Sequence, residues 1–161
     1  MNARLLTIFL AANLSAAPLL SLAMPTPVEE PKAANQPANN DFANAKKAVD
    51  AKNWPQAIGL LKKVTAAEPG NPEAFNLLGY ATRKSGDARG ALQYYQQALA
   101  LDPKHIGAHE YIGEAYLELN DLAKAEEHMR KLEDLCSFGC RESRELKAAI
   151  DAYKKGQRPK S

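Results

Sequence analysis

The sequence predicts an all-α chain in which three helix pairs stack in series and one further helix closes the stack. Two observations predict it. A self-match at an offset of 34 residues brings Ala57, Ala91 and Ala125 into register, as it does Ala45, Gly79 and Gly113, and Leu61, Tyr95 and Met129. Within each period, apolar residues recur three and four apart, and short polar turns divide two helical stretches. Those turns are Lys52-Asn53, Ser85-Gly86-Asp87 and Asn120-Asp121, residue types that stop one helix and cap the next.

Composition excludes several alternatives. The chain has 161 residues, 45% apolar and 25% charged, close to the average soluble protein. A net charge of +2 is too small for a binder held by phosphate neutralisation, so no nucleic-acid partner is expected. Two cysteines are too few for a disulfide-dense scaffold or a four-cysteine zinc site.

Residues 1–23 read as a signal peptide. Arg4 is the only charge before Glu29 and precedes an apolar run from Leu5 to Leu22. Asn13, Ser15, Pro18 and Ser21 break that run, which makes it a poor permanent span. Ser21 and Ala23 put small residues where signal peptidase requires them for a cut after Ala23. The expected location is therefore periplasmic or secreted, with no membrane span after cleavage. Residues 24–40 carry Pro25, Pro27, Pro31 and Pro37 without a periodic apolar face, and read as a disordered linker.

Residues 41–139 hold the three periods. The second reads Phe75-x2-Leu78-Gly79-x2-Thr82, then Ala91-x3-Tyr95, Ala98 and Pro103. The third reads His109-x2-Ile112-Gly113-x2-Tyr116, then Ala125-x3-Met129 and Leu132. The first is degenerate in its opening helix but keeps Ala57, Leu61, Val64 and Pro69. This pattern resembles the tetratricopeptide repeat family, W-x2-L-G-x2-Y, then A-x3-F, then P. The resemblance implies an α-α superhelix, a solenoid of three pairs. Gly79 and Gly113 are expected to let the first helix of a pair approach the second closely. Leu146, Ala149, Ile150 and Tyr153 then mark a capping helix within 140–156, and 157–161 form a disordered tail.

No catalytic constellation is present: there is no phosphate loop, no H-E-x-x-H helix and no nucleophile elbow, so no enzyme activity and no cofactor are expected. His105 and His109 are four apart, but two ligands make a weak metal site, and a structural or solvent-facing role is expected for both. Cys136 and Cys140 flank Ser137-Phe138-Gly139. An isolated pair in an oxidising compartment favours a disulfide; a redox pair, or a copper site with His128, are the alternatives. In the alternative function, these cysteines handle a metal or thiol while the repeats recruit a client.

The resemblance also implies a working surface, the concave groove lined by the first helix of each pair. Its positions here are Asn76, Tyr80, Arg83 and Lys84, then Glu110, Glu114, Leu117 and Glu118, with Phe42, Lys46, Val49 and Asp50 in the first pair. Glu110, Glu114 and Glu118 form an acidic stripe beside a basic and aromatic one. The expected function is a scaffold in the cell envelope that docks a mixed-charge peptide or partner protein on Tyr80 and Leu117.

Overall fold

From the second helix onward, each helix begins where a side chain can cap it. Asn53, Asn71, Asp87, His105 and Asp121 each accept the backbone N–H three residues on through a side-chain oxygen or ring nitrogen. The computed structural model describes residues 37–157. In order these form α1 (Pro37–Asp50), α2 (Trp54–Ala67), α3 (Pro72–Lys84), α4 (Ala88–Leu101), α5 (Ile106–Glu118), α6 (Leu122–Leu135) and α7 (Arg141–Lys154). All regular structure among the described residues is helical. The segment read as a signal peptide, most of that read as a linker and the last four residues of the chain lie outside the described residues.

Two boundaries differ from the sequence reading. Helix α1 starts at Pro37, inside the segment read as linker; proline suits the first helical position, where its missing N–H has no intrahelical role. At the other end, the Gln157 N–H donates to Ala152 O (3.0 Å), which ties the first residue of the supposed tail to α7.

The turns within pairs share one form. Lys52, Gly86 and Asn120 take φ of 56°, 100° and 63°, the left-handed conformation that ends a helix. The residue after each sends its N–H back to the helix, Asn53 to Ala48, Asp87 to Thr82 and Asp121 to Tyr116. Only at position 86 does the sequence supply glycine.

Helices pair as α1·α2, α3·α4 and α5·α6, and each pair rests on the next through α2·α3 and α4·α5. The core forms two clusters. One gathers Ala45, Ala48, Ala57, Leu61, Leu78 and Ala81; the other joins Ala91 and Tyr95 to Ile112, Leu117, Leu132, Leu146 and Ile150. Phe42 and Val49, in the degenerate first helix, are half-buried against the first cluster.

The two close-packing glycines differ. A Cβ on Gly79 would lie 2.6 Å from the Tyr95 ring on α4, as expected within a pair. A Cβ on Gly113 would lie 2.6 Å from Leu146 Cδ2, so its nearest neighbour is the closing helix rather than α6. Met129, the counterpart of Tyr95, is only half-buried, and Leu146 fills the space above Gly113. Helix α7 thus rests chiefly on α5 and secondarily on α6.

Candidate functional site

The facing surfaces of α3 and α5 bring the expected groove residues together, but not as free stripes. Arg83 is 3% exposed and forks between two carboxylates. Its Nη1 donates to Glu118 Oε1 (2.7 Å) and its Nη2 to Glu114 Oε2 (2.5 Å). Burial alone would lower the guanidinium pKa; Tyr95 and the two glutamates reverse that and raise it above its ordinary value. The basic residue therefore belongs to a fixed, charge-assisted clamp between α3 and α5.

Aromatic rings flank the clamp. Tyr80 and Tyr111 lie 4.8 Å apart between centroids, and Arg83 stands 5.8 Å and 5.9 Å from their respective centres. Trp54 meets Tyr80 edge-on at 6.0 Å. All three aromatics are half-buried, leaving part of each ring accessible. Trp54 and Tyr111 were missed by the sequence reading. Tyr111 sits three residues before Glu114 and seven before Glu118, a helical spacing that could have placed it on this surface.

Besides Arg83, three expected groove residues are not available to a ligand. Leu117, read as an anchor, is 1% exposed and belongs to the core. Its position along α5 points at the neighbouring helices rather than at solvent. Asn76 is also buried, with Nδ2 donating to Glu73 Oε2 (3.5 Å) and Oδ1 without a protein partner. Glu110 is covered because α7 lies over this end of α5; its Oε2 has no partner. Desolvation, followed by the adjacent carboxyl of Glu145 on α7, pushes the Glu110 pKa up to about 9. Tyr80, Lys84 and Glu114 keep partial exposure, whereas the side chain of Glu118 is only 7% exposed.

The histidines have structural partners. His105 caps α5, its Nδ1 accepting from the Ala108 N–H (3.2 Å), while Nε2 faces Glu73 Oε2 (3.1 Å). His109 Nε2 lies 3.0 Å from Pro103 O, which can only accept, so this nitrogen carries the proton. Nδ1 of neutral His109 is then the acceptor for His128 Nδ1–H at 2.9 Å. Burial lowers both pKa values, to about 4 for His128, in keeping with neutral rings. Among the described residues, no group of three or more His, Cys, Asp or Glu side chains converges as a metal-ligand set.

Cys136 ends α6 and Cys140 caps α7, with Cα atoms 5.6 Å apart and the sulfurs joined. Between them Gly139 takes φ of 76°, and Phe138 is fully exposed.

Residues 50–132 match the family model described as anaphase-promoting complex, cyclosome, subunit 3, over just more than half of the chain. The chain belongs to this family of tetratricopeptide-like repeats. Human protein O-mannosyl-transferase TMTC3 is 31% identical over 75 residues, which cover 47% of this chain and 8% of that protein. The chain thus spans less than a tenth of the length of the curated relatives it matches. The TPR2B domain of yeast Sti1, solved as a complex with pHsp70, superposes with a TM-score of 0.69 at 16% identity, over 74% of this chain and 98% of that one. PcrH, solved with the chaperone-binding region of PopD, gives 0.66 at 19% identity over 73% and 91%. At these identities the likeness shows the fold alone.

Proposed function

We propose that this chain is a non-catalytic adaptor that binds an extended segment of a partner protein across the first helices of its repeats. The observation that carries this reading is the half-exposed aromatic set Trp54, Tyr80 and Tyr111, held rigid around the Arg83 clamp. Rigid aromatics offer large contact area at low ordering cost. Arg83 offsets one of the two charges of Glu114 and Glu118, and Lys46, Lys84 and Asp50 have no ion-pair partner among the described residues, so this helical phase keeps both signs of charge. The favoured segment therefore carries an apolar or aromatic residue together with charges of both signs. That Sti1 and PcrH structures of the same fold were solved with bound partners is consistent with this use of the surface.

Site-specific photo-crosslinking tests the reading. A photo-reactive residue at position 80 or 84 should give a discrete partner adduct in cells, and one at the exposed Lys131 should not. Adducts of equal yield from both places would exclude this surface as the docking face.

We further propose that the chain is exported and works in the cell envelope. The support is the composition of residues 1–23, one basic residue before a broken apolar run and small residues ahead of the cut. Intact mass of the protein recovered from its host should correspond to a chain starting at Met24; a mass that retains residues 1–23 would contradict it.

A further inference from the structure

We propose that Cys136 and Cys140 form a thiol–disulfide exchange centre that passes its disulfide to a dithiol peptide segment, with Cys140 leaving as thiolate. This is independent of the adaptor reading, since the cysteines lie at the α6–α7 turn, away from the Arg83 clamp.

The bond joins residues only four apart. Cross-links stabilise folds chiefly by closing long loops in the unfolded chain, and this loop is among the shortest that can close. Each helix end is also held without it. The Cys136 N–H donates to Leu132 O (2.9 Å), and Leu132 and Leu146 anchor α6 and α7 in the core. Opening the disulfide leaves those anchors in place, so the chain can cycle between the two states while folded.

The two sulfurs are electrostatically unequal. Cys136 sits at the C-terminal end of α6, where unpaired carbonyls disfavour an anion. Cys140 caps the N-terminus of the 14-residue α7. Its Sγ accepts the Ser143 N–H (3.4 Å), and its own N–H donates to Ser143 Oγ (3.2 Å). Arg141 and Arg144 follow in the first turn; Glu142 opposes them, though Arg141 pairs with it at 3.1 Å. A helix N-terminus with an amide donor aimed at sulfur stabilises thiolate over thiol, which makes Cys140 the better leaving group. Between the sulfurs, Phe138 is 104% exposed and offers an apolar contact to a substrate chain.

The step balances without a further reagent. A substrate thiolate attacks Cys136 Sγ, a new S–S bond forms, and the Cys136–Cys140 bond breaks with its electron pair going to Cys140. The substrate's second thiolate then attacks its own sulfur in the mixed disulfide and expels Cys136. The substrate dithiol is oxidised to a disulfide, the protein pair is reduced, and the two substrate protons pass through water to the released sulfurs.

Two measurements on the full chain test this. Single-cysteine variants, Cys136→Ser and Cys140→Ser, both leave a residue able to end or cap its helix, and circular dichroism checks that they fold. With iodoacetamide at pH 6, Cys140 alone should react at least tenfold faster than Cys136 alone; equal rates, or a faster Cys136, overturn the assignment of the leaving group. Oxidised wild-type protein mixed with an equimolar reduced dithiol peptide, without air and with chelator, should yield peptide two hydrogens lighter and protein two hydrogens heavier. Peptide that stays reduced beside an intact protein disulfide overturns the proposal, as does wild-type protein that keeps two free thiols under air.

Discussion

Lys52, Gly86 and Asn120 occupy the same left-handed turn with three different side chains. For an L-residue other than glycine, that conformation costs about 1 kcal/mol. Replacing Lys52 by glycine should therefore raise stability by about 1 kcal/mol, and Gly86→Ala should lower it by about as much, both read as shifts of the urea midpoint. A second residue-scale prediction concerns Glu110. In the fold its carboxyl faces Glu145, Glu142 and Arg141 from α7 and Glu114 and Tyr111 from its own helix, and its pKa stands at about 9 against an ordinary 4.5. The native state thus keeps a proton that the unfolded chain has released, so stability falls as pH rises through that window, by up to about 1.4 kcal/mol per pH unit. Glu110→Gln, which stays neutral and can still hydrogen-bond, should flatten the decline of Tm between pH 5 and 9. An unchanged slope would mean that Glu110 ionises freely in the folded protein.

At the scale of elements, the self-match made most helices legible, because Ala57, Ala91 and Ala125 and the turn residues repeat with the fold's own period. All three lie fully buried in the second helix of a pair. The degenerate first helix was harder. Pro37 and its neighbours read as linker because a proline-rich composition carries no signal that the chain has already turned helical. The surface residues were legible as positions but not as partners. Helical phase placed Arg83 opposite Glu114 and Glu118, yet only the packing of α3 on α5 shows the three in one buried fork. Likewise, Leu146 could be read as apolar, but not as the side chain that fills the space above Gly113. That contact makes α7 part of the fold rather than an appendage. Leu146 is fully buried, so Leu146→Ala should cost about 2–5 kcal/mol by thermal or urea unfolding. Gly113→Ala should be destabilising as well, since its Cβ would lie 2.6 Å from Leu146 Cδ2. In the double variant the smaller residue makes room for the new methyl, so the two costs should be less than additive. Full additivity would place the strain elsewhere.

At the scale of the whole array, the two core clusters set how damage spreads. Stacked helix pairs are stabilised by their own packing and by contact with the next pair, so the loss of one interface is felt most by its immediate neighbours. Ile150 belongs to the cluster that runs from α4 to α7, whereas Ala45, Ala57, Leu61 and Leu78 belong to the other. Placing a charge at Ile150, 4% exposed, with Ile150→Asp strands a carboxylate in the apolar contact between α7 and its neighbours. The closing helix should detach, and α5 and α6 lose the face that covers Glu110 and Gly113. Hydrogen exchange reads this directly. Amides of α5 and α6 should lose protection strongly, those of α3 and α4 less, and those of α1 and α2 least, because their buried contacts lie in the cluster that does not include position 150. Uniform loss of protection from α1 to α7 would show instead that the array unfolds as one cooperative unit, and the two clusters would then have no separate energetic meaning.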